Sequence, residues 1–393
     1  MAENTLKEKC AIVGIGETAY SAEPKRDRLE LALEAIKKAV ADAGLTPQDI
    51  DGIVRYTIDG SANDQILVSN LGMKDLAFSA EIPFYGGSGC ATVGTAAAAV
   101  AAGLANCVVC YRAFTPFDFF EFTKHNASTI WSRDVGVADY MRPSGWLSMM
   151  DTYGLLFEAH SAKYGTTTDQ LGAIAVAIRN CANRNPRALL KDKPLTLEDH
   201  RKSRIVSGRL TVDDVTLSAC DGACAVVVTS AERAKNSKQR PAYIMAAASG
   251  LGPQPSLMWE MRIFRSDPTE SPAKYAAQRL YKMAGITPKD IDVAEIYDCA
   301  TVNVLTQIED YGFCQKGEGG SFVEGGRVEL GGELPIATSG GMLAEAPIHG
   351  FNHILEGVRQ VRGTSTSQVK DAEFALVTSS IPTPTSALIL RRK

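Results

Sequence analysis

The stretch "FYGGSGCATVG" sets Cys90 behind Gly86, Gly87, Ser88 and Gly89, where a helix of small residues is expected to begin. Glycines allow the tight loop that would deliver the thiol. The first helical turn offers free N–H groups and the positive end of the helix dipole, which stabilise a thiolate and lower its pKa. The same N–H groups could hold the oxyanion of a tetrahedral intermediate. A plain packing role competes with this, since cysteine is among the residues most often buried. A second candidate segment, "ATSGGMLAEAPIHGFNHILEGVRQVRG" from Ala337, also runs from a glycine turn into a helix and carries two of the five histidines. His349, just before Gly350 and Asn352, falls at the expected helix start, where a ring can point into a cleft, and a satisfied structural histidine is the competing reading. His353 lies further inside the helix and reads as packing.

Two other patterns imitate functional motifs. "GIGETA", Gly14 to Ala19, has the spacing of a dinucleotide fingerprint, but Pro24 and a charged stretch stand where the helix should open, so it reads as a turn after a strand. Cys107 and Cys110 form a lone C-x-x-C within an apolar run, with no second pair at zinc spacing; buried packing is expected there, and no metal site.

The elements that must position these residues follow from the pattern around them. No charge occurs between Glu81 and Arg112, yet the run is mostly Ala and Gly, which contribute little transfer free energy, and it contains Asn106. It divides into a loop Tyr85–Gly89, a helix from about Cys90 to Ala105 and a strand Cys107–Tyr111. So small-sided a helix is expected to be buried all round. "AGLTPQDIDGIV" from Ala43 and "AGITPKDIDVAEI" from Ala284 match or nearly match at seven of their first eight positions. Each follows an amphipathic helix, the second with Ser271 as N-cap and Pro272 at N1, and each precedes an apolar strand. Such a distant repeat indicates two similar halves rather than a solenoid. Strands at Ala11–Ile15, Ala294–Tyr297, Phe374–Thr378 and Ala387–Leu390 alternate with helices from Leu29 and through Val302–Ile308, predicting an α/β fold with mixed sheets. The halves are placed at residues 1–240 and 241–393, the first with an aromatic-rich loop insertion at about 114–205. Ten aromatic residues lie from Tyr111 through Tyr153, among them Phe114, Phe117, Phe119, Phe120, Phe122, Trp131 and Trp146. They would form either a dimer surface or the wall of an apolar pocket.

At 393 residues, 45% apolar and 22% charged, the chain has an ordinary globular composition, and a net charge of −4 gives no electrostatic reason to expect nucleic acid. "MAENTLKEKC" lacks the apolar core of a secretory signal. Nine scattered cysteines suit free thiols in a reducing compartment, so a cytoplasmic protein outside the membrane is expected.

Taken together, "CAIVGIGETAYS", "LEAIKKAVADAGLTPQDID", the turn before Cys90, "YGTTTDQLGAIAV", "SACDGACAVVV", "EIYDCAT" and "TSGGMLAEAPIHG" resemble the thiolase superfamily over the whole chain, nearest to thiolases of the sterol-carrier-protein type. The resemblance implies five α-β-α-β-α layers in two duplicated halves, a homodimer, and acyl-CoA substrates cleaved or joined next to the thioester. Several residues depart from the thiolase pattern. Tyr297, Asp298, Cys299 and Ala300 stand where such thiolases have His-Asp-Cys-Phe, and Pro347 stands where the histidine of Gly-His-Pro falls. "TSSIPTPTS" lacks the late acid/base cysteine. Gly94 comes one residue late for Cys-x-Ser-Gly, so strict register would put Ala91 in the nucleophile's place. These departures resemble thiolase-like subunits that pair with a small OB-fold/zinc-ribbon protein, including benzoylsuccinyl-CoA thiolase and steroid side-chain aldolases. The aldolases are similar in having a tyrosine at the place of Tyr297, though they carry a second tyrosine where this chain has Pro347.

The favoured expectation is a thiolase. Cys90 attacks a 3-oxoacyl-CoA, His349 acts as base, Tyr297 protonates or binds the enolate, and free CoA is co-substrate with no bound cofactor. Asp298, Ser339, Gly340, Gly341 and Asn352 are the candidates for substrate and CoA binding. The alternatives are a retro-aldolase using Tyr297 and His349 on a 3-hydroxyacyl-CoA with Cys90 a bystander, and a non-catalytic acyl-CoA-binding scaffold.

Overall fold

The computed structural model describes residues 6–23, 25–57, 62–116, 143, 145, 148–217, 220–253, 267–380 and 384–393. Strands β1 (Cys10–Glu17), β2 (Gly52–Tyr56), β3 (Phe78–Ile82) and β4 (Cys107–Phe114) come first. A small hairpin of β5 (Ile205–Ser207) and β6 (Leu210–Thr211) precedes β7 (Gly222–Ser230). The later strands are β8 (Ala242–Gly250), β9 (Val293–Glu295), β10 (Phe374–Ser380) and β11 (Thr385–Arg391). The main sheet runs β3-β2-β4-β7-β1-β8-β11-β10-β9. It is two mixed sheets in series, since β1 and β8 pair only at Ala11 and Ile12. β2 is parallel to β3 and β4, and β9 to β10.

The longer helices carrying the argument are α1 (Arg28–Asp42), α2 (Ser88–Ala101), α3 (Met149–Tyr164), α4 (Thr168–Ala182), α5 (Ala273–Ala284), α6 (Thr301–Asp310) and α7 (Phe351–Arg362). α1 covers the N-terminal strands and α5 covers β8 and β11, while α2 and α7 each touch strands of both sheets. The layer order is therefore helix, sheet, helices, sheet, helix, as expected of a thiolase fold. The central layer is one apolar cluster joining Cys90, Val93 and Ala97 of α2 to Ile354, Leu355 and Val358 of α7. No helix among the described residues is long and apolar enough to cross a membrane.

The sequence repeat is a structural repeat. In both copies a short 3-10 turn is closed by a threonine N–H donating to the aspartate three residues on, Thr46 to Asp49 at 2.8 Å and Thr287 to Asp290 at 2.7 Å. Two residues later an aspartate ties down the next parallel strand. Asp51 accepts from the N–H groups of Asn106 and Cys107, and Asp292 from those of Glu373 and Phe374. Ser271 caps α5 through the Ala273 N–H, with Pro272 at the helix boundary. "GIGETA" lies mostly within β1: a Cβ on Gly14 or Gly16 would come within 2.0 or 2.2 Å of α1 carbonyl oxygens, so these glycines serve helix–sheet contact.

Three expectations need correction. The small-residue helix begins at Ser88 rather than Cys90 and ends at Ala101 rather than Ala105, because Gly103 turns left-handed at φ 74. Nor is it buried all round: Ala91, Gly94 and Thr95 are half-buried, and Ala98 and Ala101 exposed, forming one open stripe at helical spacing. The segment expected as a loop insertion over 114–205 contains α3 and α4, whose apolar faces pack on the C-terminal half through Phe157, Leu171 and Ile178 beside Ile296 and Leu305. Phe117, Phe119, Phe120, Phe122, Trp131 and Trp146 lie outside the described residues.

Candidate active site

The parallel strands of the two halves end at one place. Tyr56 closes β2, Arg112 and Phe114 close β4, and Tyr297 follows β9 by two residues. Tyr56 and Tyr297 occupy the same position of the duplicated sequence, so the repeat itself delivers a tyrosine from each half. Arg112 is fully buried, its guanidinium 4.8 Å from the Tyr56 ring centre and 5.5 Å from that of Phe114. His349 completes the cluster. Its ring meets Phe114 edge-on at 4.8 Å and lies 5.8 Å from Tyr56, and its Nδ1 is 3.3 Å from Arg112 Nη2.

Tyr297 is held at its backbone. Its N–H donates to Thr378 Oγ1 at 2.9 Å, and its carbonyl accepts from Gln307 Nε2 at 2.8 Å and Asn303 Nδ2 at 3.3 Å. Thr378 Oγ1 in turn donates to Gln307 Oε1 at 2.7 Å, closing a ring between β10 and α6. Burial, then the neighbouring Tyr56, Cys299 and Asp298, push the Tyr297 phenol well above its ordinary pKa, with Arg112 opposing. The phenol therefore keeps its proton at neutral pH.

His349 has φ 51 and Gly350 φ 73, two successive left-handed residues that swing the chain into α7. A Cβ on Gly350 would sit 2.4 Å from Tyr297 Cδ2, so glycine lets the His349 turn lie flat on the tyrosine ring.

The residues expected to bind substrate and CoA form the support beneath this turn. Asp298 is fully buried and accepts from the N–H groups of Met342 and Leu343 at 2.8 and 3.1 Å. Gly341 packs so closely on that carboxylate that a Cβ would fall 2.1 Å from Oδ2, and Gly340 packs on Ala182. Ser339 Oγ and Asn352 Nδ2 both donate to Glu345 Oε2, at 2.7 and 2.8 Å, while Asn185 Nδ2 donates to Oε1 at 2.8 Å. Burial and the nearby Glu17 raise Glu345 to about 7. His353, inside α7, is more than packing. Its Nε2 lies 2.7 Å from Asp298 and its Nδ1 3.5 Å from Glu295. Burial opposes its charge, but the two carboxylates outweigh burial and raise it to about 10.

Cys90 does not have the electrostatics anticipated for it. Its thiol is 1% exposed, donates to the Val377 carbonyl at 3.4 Å and lies 3.3 Å from Ser379 Oγ. Burial raises it to about 12, the opposite of the expected dipole effect. The helix N–H groups that were to hold an oxyanion are already satisfied, Cys90 by Ser379 Oγ at 3.0 Å and Ala91 by Ser386 Oγ at 2.9 Å. One residue turns a helix by about 100°, and that single step puts Ala91, not Cys90, on the open stripe. Among the described residues no cluster of three or more His, Cys, Asp or Glu is placed to hold a metal ion.

Comparison with known proteins places this geometry. Residues 257–390 match the thiolase C-terminal domain-like family. The chain is 41% identical over 389 residues to a 17-hydroxy-3-oxo-4-pregnene-20-carboxyl-CoA lyase of Mycobacterium tuberculosis, covering 98% of this chain and 100% of that one. The chain belongs to the thiolase superfamily. Within that superfamily it is 40% identical to a steroid side-chain-cleaving aldolase of Thermomonospora curvata over 98% of this chain and 99% of the relative. The solved Ltp2-ChsH2(DUF35) aldolase superposes with a TM-score of 0.90 at 38% identity, covering 99% of each chain. These relatives favour the retro-aldolase alternative over the thiolase expectation.

Tyr56, Arg112 and Phe114 were absent from the sequence-derived site. Carrying the repeat on by a few residues would have aligned Tyr56 with Tyr297. Arg112 is the one charged residue of an otherwise apolar strand, and its burial is seen only in the fold.

Proposed function

We propose that this chain is a retro-aldolase that cleaves the bond between the α- and β-carbons of a 3-hydroxyacyl-CoA whose acyl group carries a bulky ring system of the steroid side-chain type. The observation that carries the reading is the state of Cys90: a protonated thiol turned into the core, with Ala91 at the open position of the helix. A covalent acyl intermediate needs an accessible thiolate, whereas retro-aldol cleavage needs none.

In that reaction the β-hydroxyl gives its proton to solvent water and becomes a carbonyl. The bonding pair of the broken C–C bond passes into a thioester enolate, which then takes a proton at its α-carbon. Tyr297 is suited to give that proton, and the buried Arg112 supplies positive charge beside the developing anion. CoA enters as the thioester of the substrate, so no free CoA is consumed. The solved relative's complex with a DUF35 protein supports a small OB-fold/zinc-ribbon partner for this chain. β3, with alternating half-buried and exposed residues and, among the described residues, no strand on its outer side, supports pairing with a second copy.

The test is turnover of the 3-hydroxyacyl-CoA together with the partner protein and without free CoA, following release of the ring ketone and the shortened acyl-CoA. Equal rates with and without free CoA are expected. Cleavage only of 3-oxoacyl-CoA, and only with added CoA, would return the assignment to thiolase.

A further inference from the structure

The contact between Arg112 and His349 fixes more than a position. A guanidinium carries only N–H donors and stays charged throughout the working pH range. Arg112 Nη2 faces His349 Nδ1 at 3.3 Å, so the imidazole nitrogen must be the acceptor. A proton on Nδ1 would set N–H against N–H. A doubly protonated ring would also place a second cation beside a guanidinium that is itself fully buried.

The surroundings leave the ring little freedom to flip and exchange its nitrogens. Phe114 meets it at an interplanar angle of 85°, Tyr56 lies tilted on another side, and the left-handed backbone at φ 51 is followed by a glycine packed on Tyr297. The guanidinium is equally fixed, lying near the centres of both the Tyr56 and Phe114 rings.

We infer that Arg112 is a positioning residue that locks His349 as the neutral tautomer protonated on Nε2, making this histidine a hydrogen-bond donor rather than the general base expected from sequence. On the retro-aldolase reading, from which the role but not the tautomer follows, Nε2–H donates to the thioester oxygen as it becomes an enolate. Tyr297 serves the α-carbon. The two donors then divide the work: one stabilises negative charge on oxygen, the other delivers the proton that quenches it.

The experiment is histidine side-chain NMR of the full-length chain carrying 15N-histidine, with His349 assigned by the resonances missing in His349→Gln. The expected spectrum at neutral pH shows an unprotonated Nδ1, coupled only to Hε1, and a protonated Nε2, coupled to both ring protons. Arg112→Gln should replace this with tautomer-averaged shifts and lower kcat by roughly 10- to 100-fold with KM within about twofold. Arg112→Lys, which keeps a charged donor, should restore part of both. A wild-type spectrum with the proton on Nδ1, or with both nitrogens protonated, would overturn the inference even if Arg112→Gln failed to fold. So would an unchanged His349 spectrum in a folded Arg112→Gln. The spectrum is recorded without turnover, so the tautomer and the retro-aldol reaction succeed or fail independently.

Discussion

His353 Nε2 lies 2.7 Å from Asp298 Oδ1 in a fully buried pair, and through it α7 is fastened to the residue that follows Tyr297. The same carboxylate accepts from the Met342 and Leu343 N–H groups. Pair and turn together set how Gly350, the residue after His349, lies against the Tyr297 ring.

This pair predicts a stability loss on the alkaline side. The folded His353 pKa is raised from the ordinary 6.5 to about 10. Its contribution is therefore fully present below about pH 6.5 and is lost as pH rises through about 10. His353→Gln should cost about 3–5 kcal/mol at neutral pH and flatten the decline of the thermal midpoint between pH 7 and 10. Melting curves across that range check both.

Glu345 should add a lower step. Its folded pKa, raised from 4.5 to about 7, makes the protonated form the favoured one inside the protein. Stability tied to this group is complete below about pH 4.5 and falls away as pH rises through 7. Glu345→Gln, which sets an amide NH2 against a donor on one side, should cost about 1–3 kcal/mol of stability at pH 5 and abolish the step near pH 7. The same melting series resolves it.

A pair of glycine substitutions should separate strain from site geometry. Gly350→Ala forces a left-handed alanine and a Cβ 2.4 Å from the Tyr297 ring, whereas Gly363, also left-handed at φ 80, has open space around it. Gly363→Ala should cost about 1–2 kcal/mol and leave kcat and KM unchanged. Gly350→Ala should cost more and depress kcat, because the tyrosine must move. Chemical denaturation and steady-state kinetics of the two variants decide this.

Tyr297→Phe keeps every hydrogen bond made by the Tyr297 backbone while removing the phenol proton. A fall in kcat of roughly 10²- to 10⁴-fold, with folding stability changed by about 1 kcal/mol or less, is expected. Kinetics beside calorimetry measures the split.

Cys90 should behave as a packing residue. With its thiol raised to about 12, alkylation by iodoacetamide at neutral pH should be no faster than at the other buried cysteines. Cys90→Ala should retain turnover at a stability cost of about 1 kcal/mol. Peptide mapping of the alkylated protein, with an activity assay of the variant, checks both.

The amino-acid sequence by itself determined the layered architecture. The repeat beginning at Ala43 and Ala284 specifies helix, capped turn and strand through local chemistry: Thr-Pro at the turn and an aspartate three residues after the threonine. Such signals need no distant partner, so they are legible in one dimension. His349 was marked as a candidate by the glycine turn beside it, whereas Tyr297 was marked only by the resemblance to steroid side-chain aldolases. The state of Cys90 was decided only by tertiary structure. Its place in the first turn of a helix fits a thiolate as well as a packing residue. What settles it is one residue of helical rotation and two serines, Ser379 and Ser386, that arrive from β10 and β11 nearly three hundred residues later. Likewise, Asp298, Ser339, Gly341 and Asn352 look like binding residues in sequence, yet their hydrogen bonds and close contacts close on one another inside the fold. Arg112 becomes informative only when β4 ends against the left-handed turn of His349. Burial and hydrogen-bond partners are relations between distant segments, and they decide whether a reactive residue type is reactive.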